Sequence, residues 1–148
     1  MSSEKNLRIL VVEDEILIAL ELESLLQDTG HEVIGIAASS DEAVSLAETQ
    51  QPDLAFVDIH LADGPTGVDV ARRLTGELGV TVLFMTANAK RIPEDCAGAQ
   101  GCIAKPYTER GVRQALDYVT TQDPALAEGV TFVPFQQSAR TRRNAQQA

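Results

Sequence analysis

Apolar residues fall in two rhythms along this chain. Short runs are almost wholly apolar: Leu7 to Val12, Glu32 to Ala37, Leu54 to Asp58, Thr81 to Thr86 and Cys102 to Ala104. Continuous runs of this length suit strands buried on both faces of a parallel sheet. Between them, apolar residues recur every three or four positions. From Ile16 to Thr29, residues Ile18, Ala19, Leu22, Leu25 and Leu26 gather on one arc, with Glu21, Ser24 and Asp28 opposite, and Gly30 ends the helix. Ser39 and Glu42 stand at capping-box spacing before a second helix that stops near Gln50, ahead of Pro52. A third helix runs from about Gly67 to Leu78 and buries Val70, Ala71 and Leu74. Val112, Ala115, Leu116 and Val119 mark the last.

The interval from Ala87 to Gly101 should hold a helix but reads poorly as one. Pro93 lies in its middle and Gly98 and Gly101 near its end, which predicts a short or mobile helix. Strands alternating with helices mean βα units. The fold expected is α/β, a doubly wound five-stranded parallel sheet of flavodoxin-like order 2-1-3-4-5, with right-handed crossovers. Its crevice opens at the carboxyl ends of the first and third strands.

The domain expected spans 7–121, after a disordered segment 1–6. The tail 122–148 ends in the polar stretch Gln136 to Ala148, which carries three arginines and no acid and suits a solvated terminus. Residues 129–135 are apolar enough to dock, on a sheet edge for instance, or are unstructured. Thirty residues are too few for an output domain with its own core.

The formal net charge of −10 argues against binding to nucleic acid or to an anionic membrane. The N-terminus lacks the layout of a signal peptide, and no apolar run approaches the ~18 residues of a membrane span. A cytoplasmic location is expected. Cys96 and Cys102 form no CxxC pair and read as reduced, structural thiols.

The strand ends carry the chemistry. Glu13 and Asp14 follow the first strand, Asp58 ends the third, Thr86 the fourth, and Lys105 follows the fifth. Singly, such acids serve equally well as helix caps. Together they supply a carboxylate nucleophile, an acidic pair for a hard divalent cation, a hydroxyl donor and an ammonium. Phosphoryl transfer to a carboxylate needs this set, because it depends mainly on positioning and neutralisation of charge on the phosphoryl oxygens.

Glu13-Asp14, Asp58, Thr86-Ala87 and Lys105-Pro106 resemble the pattern of response-regulator receiver domains, over about Leu7 to Thr121. The resemblance implies that Asp58 accepts a phosphoryl group from a histidine kinase or histidine phosphotransfer protein. It implies Mg²⁺ held by Glu13, Asp14, Asp58 and the backbone carbonyl of His60, and a cis peptide at Lys105-Pro106. It also gives His60 and Asn88 rate-tuning positions beside the phosphoryl group. Two departures stand out. The switch aromatic expected three residues before the lysine is Cys102 here, with Tyr107 the nearest substitute, and the loop after Asp58 has Ala62 where proline is common. Leu83-Phe84-Met85-Thr86-Ala87 is similar to a subgroup of alphaproteobacterial stand-alone receivers often paired with HWE-type kinases. On the first helix, Ile16 and Leu17 fall off the buried arc and with Pro106 form a candidate partner surface, whereas Leu20 is expected to pack on the last helix.

The function expected is that of a stand-alone response regulator in a phosphorelay, acting through partner binding or as a phosphate sink, with Thr86 drawing the loop 88–100 on phosphorylation. It would act on its own side chain and not as an enzyme on a separate substrate. The alternative is a pseudo-receiver that binds proteins without taking phosphate. A flavodoxin-like carrier would need a phosphate loop after the first strand, where this chain has acids. A dehalogenase-type phosphatase would need an aspartate at position 60, where this chain has His60.

Overall fold

In the computed structural model, which describes residues 6–121 and 132–135, each apolar run forms a strand. β1 (Arg8–Val12), β2 (Glu32–Ala37), β3 (Leu54–Asp58), β4 (Thr81–Thr86) and β5 (Gly101–Ala104) are mutually parallel where they pair, in the order β2-β1-β3-β4-β5. The register sets Val12 beside Val57, Asp58 beside Met85 and Thr86 beside Ala104, so the carboxyl ends of β1, β3, β4 and β5 line up along one rim.

Alternation along the strands assigns side chains to two cores. Leu10, Val57 and Phe84 face α2 (Ser40–Gln50) and α3 (Gly67–Gly76), where they meet Ala43, Ala47, Val70, Ala71 and Leu74. Ile9, Val11, Phe56 and Met85 face α1 (Ile16–Asp28) and α4 (Glu109–Thr121), where they meet Ala19, Leu22, Leu26, Val112, Ala115 and Leu116. The second helix begins with the cap its sequence signals, Ser39 Oγ accepting from Glu42 N at 3.3 Å, while Glu42 Oε1 accepts from Ala38 N at 2.8 Å, one residue before the N–H that a full capping box uses.

Four features depart from the expected outline. The sheet has a sixth strand, β6 (Phe132–Pro134), antiparallel to β5 and covering its edge. Phe132 is fully buried, with its ring 5.5 Å from that of Tyr118, and Phe135 N donates to Gln100 O. Between β4 and β5 there is no α-helix but two 3-10 turns, Ala89–Arg91 and Cys96–Gly98. Positive φ angles at Cys96, Ala97 and Gly98 explain why the helix cannot form across the second turn. α3 ends at Gly76, short of Leu78, and Leu20 is 46% exposed instead of packed away. Residues 1–5, 122–131 and 136–148, on which the expected disordered N-terminus and most of the tail fall, lie outside the described residues.

Candidate functional site

Four strand ends converge on one lysine. β1 continues past Val12, with Glu13 N bonded to Ala37 O, and this turns the Glu13 side chain inward where none of it is exposed. Its Oε2 accepts from Glu15 N at 3.0 Å at the start of α1. Asp14, the next residue, faces solvent. β3 delivers Asp58, 7% exposed, whose Oδ1 accepts from His60 N at 3.3 Å. Gly67, the first residue of α3, lets that helix approach the Asp58 loop. A Cβ there would stand 2.6 Å from Ile59 Cα, and the glycine instead donates its N–H to Ile59 O.

From the opposite side, Lys105 N donates to Thr86 O at 3.0 Å, and a cis peptide follows at Lys105-Pro106. The ammonium then reaches Glu13 Oε1 and Asp58 Oδ2, both at 2.9 Å, with Glu15 Oε1 at 3.7 Å. Thr86, 6% exposed, turns its hydroxyl toward its own loop: Oγ1 accepts from Asn88 N at 3.0 Å and donates to Asn88 O at 3.2 Å.

The electrostatics follow from burial. Burial pushes the Glu13 carboxyl up to about 7, with Asp58 adding to the rise and the bonds from Lys105 and Glu15 only partly opposing it. Burial works against the charge on Lys105, but its bonds to Glu13 and Asp58 outweigh it and hold the ammonium above its usual range. Glu13, Asp14 and Asp58 each offer a carboxylate oxygen within 4.8 Å of the others. Three hard oxygen donors at this spacing fit a divalent cation.

Asp14, Asp58, Thr86 and Lys105 border an open cleft of about 670 Å³ that also takes in His60, Ala87, Asn88, Arg91 and Pro106, with Glu13 buried behind it. A groove of about 310 Å³ between α2 and α3 lacks such convergence, and the arginine lining it, Arg73, is paired with Glu48 and Glu77.

The remaining sequence candidates are placed as follows. His60 and Pro106 line the cleft and are exposed, and Ile16 (58%) and Leu17 (74%) are exposed in the first turn of α1, between the cleft-lining Glu15 and Ile18. Cys102 is buried in the core beneath α2 and α3, and burial pushes its thiol up to about 11. Tyr107 packs in the other core, its hydroxyl donating to Ile18 O at 3.2 Å. Burial pushes that phenol up to about 12, with Glu21 and Glu13 adding to the rise. Those two positions therefore lie on opposite faces of the sheet. Sequence reasoning missed Glu15, beside Lys105, and Arg91, in the cleft. The signal available for Arg91 was a basic pair, Lys90-Arg91, four and five residues after Thr86 in an otherwise acidic chain.

Residues 9–117 match the response regulator receiver domain model. The chain belongs to that family. As a receiver domain of two-component systems, it is 37% identical over 148 residues to the phyllosphere-induced regulator PhyR of Methylorubrum extorquens, covering 96% of this chain and 49% of that protein. It is 30% identical over 118 residues to the transcriptional regulatory protein PdtaR of Mycobacterium tuberculosis, covering 78% of this chain and 57% of that one. This receiver thus spans about half the length of the curated relatives it matches. Among solved structures, it resembles the PhyR receiver domain of Erythrobacter litoralis with a TM-score of 0.70 and 31% identity, over 80% of this chain and 92% of that one. It also resembles PhyR of Bartonella quintana, an anti-anti-sigma factor solved in complex with the anti-sigma factor NepR, with a TM-score of 0.51 and 34% identity over 53% of this chain and 33% of that one. Among the described residues, no helix of the receiver is long and apolar enough to cross a membrane.

Proposed function

We propose that this receiver takes a phosphoryl group onto Asp58 from a phosphohistidine of a histidine kinase or phosphotransfer protein, and that the aspartyl phosphate changes which proteins it binds. The observation that carries this reading is the shared ammonium: Lys105 Nζ lies 2.9 Å from both Asp58 Oδ2 and Glu13 Oε1 at the rim where Thr86 also ends its strand.

The steps require little covalent chemistry. An Asp58 carboxylate oxygen attacks phosphorus, the P–N bond to the donor imidazole breaks with its electron pair leaving on nitrogen, and an acyl phosphate forms. Lys105 then exchanges its bond to Asp58 for one to a phosphoryl oxygen while keeping Glu13. The Thr86 hydroxyl leaves Asn88 for a second oxygen. Glu13, Asp14 and Asp58, with the His60 carbonyl, would hold Mg²⁺, which neutralises charge on the phosphoryl oxygens when bound. Ile16, Leu17 and Pro106 supply an apolar rim beside the cleft for the donor protein. The NepR complex of the Bartonella protein supports a protein as the target.

Intact-mass measurement after incubation with acetyl phosphate and Mg²⁺ tests the reading. A gain of one phosphoryl group in the wild type, absent from Asp58→Asn, supports it. No gain in the wild type rejects it and leaves a protein-binding module.

A further inference from the structure

Charge in the cleft is out of balance. Glu13, Glu15 and Asp58 converge on Lys105, whose ammonium already serves Glu13 and Asp58 at 2.9 Å each, and Asp14 adds a further carboxylate within 4.8 Å of those of Glu13 and Asp58. A phosphoryl group on Asp58 adds further negative charge at that point, and beside the ammonium that keeps Glu13, the Thr86 hydroxyl and a bound Mg²⁺, its oxygens still have acceptor sites for another cationic donor. Arg91 lines the same cleft and, among the described residues, makes no ion pair; Arg72, Arg73 and Arg113 are each taken by an acid.

Its backbone is tied to the reacting hydroxyl. Asn88 O accepts two hydrogen bonds, one from Thr86 Oγ1 at 3.2 Å and one from Arg91 N at 3.1 Å. The 3-10 turn that carries the guanidinium is therefore one carbonyl away from Thr86. When the hydroxyl turns to a phosphoryl oxygen, that carbonyl is left to the Arg91 N–H alone, and the turn is released to advance. A guanidinium suits the task because its planar fork pairs with two phosphoryl oxygens.

We propose that Arg91 is a phosphoryl-contacting residue of the Asp58 site, coupled to Thr86 through the Asn88 carbonyl. This rests on the reading of Asp58 as the acceptor.

The test compares the full chain with Arg91→Ala, Arg91→Lys and Asp58→Asn, following the rate of labelling by acetyl phosphate with Mg²⁺ at low and high salt, with thermal melts run in parallel. Arg91→Ala should slow labelling about fivefold to tenfold at low salt, with a gap that narrows as salt screens the missing charge. Arg91→Lys should recover part of the rate, and the melts should agree. Equal rates for wild type and Arg91→Ala, with Asp58→Asn unlabelled, overturn this proposal and leave the acceptor reading intact. A loss that salt does not change and lysine does not rescue also overturns it, since that describes a structural role. A wild type that takes no label overturns both.

Discussion

Lys105 and Glu13 stand 92 residues apart in sequence, yet the ammonium lies 2.9 Å from the carboxylate, and neither side chain is more than 14% exposed. Removing one partner of a buried ion pair ordinarily costs about 3–5 kcal/mol, because the survivor is left charged and unpaired. Here Glu13 has an escape. With its carboxyl already raised to about 7, it can take up a proton near neutral pH. Lys105→Met should therefore cost only about 1–2 kcal/mol at pH 6 and more at pH 8. Urea denaturation at the two pH values checks this, and equal losses would show that Glu13 is not the group that responds.

The same shift gives the unmodified protein a pH signature. Glu13 titrates at about 7 when folded against an ordinary 4.5. Between those values the folded state holds a proton that the unfolded state has released. Stability from this group is therefore greatest below pH 4.5, falls as pH rises toward 7, and levels off above that. The change is at most about 3 kcal/mol. Glu13→Gln should flatten that part of the stability curve, measured in chelator so that no divalent cation contributes.

The edge of β5 is closed by a fit that only glycine permits. A Cβ on Gly101 would stand 2.5 Å from Phe132 Cε1 and 2.8 Å from Val133 O. Gly101→Val should displace β6 and leave β1 to β5 in place. Phe132→Ala should cost about 1–3 kcal/mol, below the 3–5 of a deep core phenylalanine, since the segment can undock instead of keeping a cavity. Faster amide exchange at Cys102 and Ile103 in Gly101→Val, with β1 and β3 unchanged, is the expected readout.

Much of this was legible in the chain. The apolar runs became strands because β1, β3 and β4 are buried almost throughout, with β2 only half-buried at the sheet edge, and the strand-end residues meet because parallel pairing puts all carboxyl ends on one rim. β6 was harder to read. Val130 to Phe135 has no alternating pattern, and only the glycine at position 101 tells where a phenylalanine can sit. The interval 87–100 was legible as a poor helix, but not as two unequal halves. Its second half is pinned to α3 by Arg72 on Asp95 at 2.6 Å and Thr75 Oγ1 on Ala97 O at 3.0 Å, while its first half hangs from Thr86 through Asn88.

That asymmetry narrows the segment expected to respond to phosphate. A change in exchange protection on phosphorylation should fall in residues 87–94 and fade across 95–100. Hydrogen exchange with and without acetyl phosphate resolves the two halves, and an equal change in both would mean that the contacts to α3 do not hold.

The most direct test of Asp58 as the acceptor is chemical trapping. An acyl phosphate is reduced by borohydride to an alcohol, which converts the modified aspartate to homoserine. After phosphorylation and reduction, peptide mapping should find homoserine at position 58. Homoserine at another carboxylate, or none in a protein that has gained phosphate, would contradict the account.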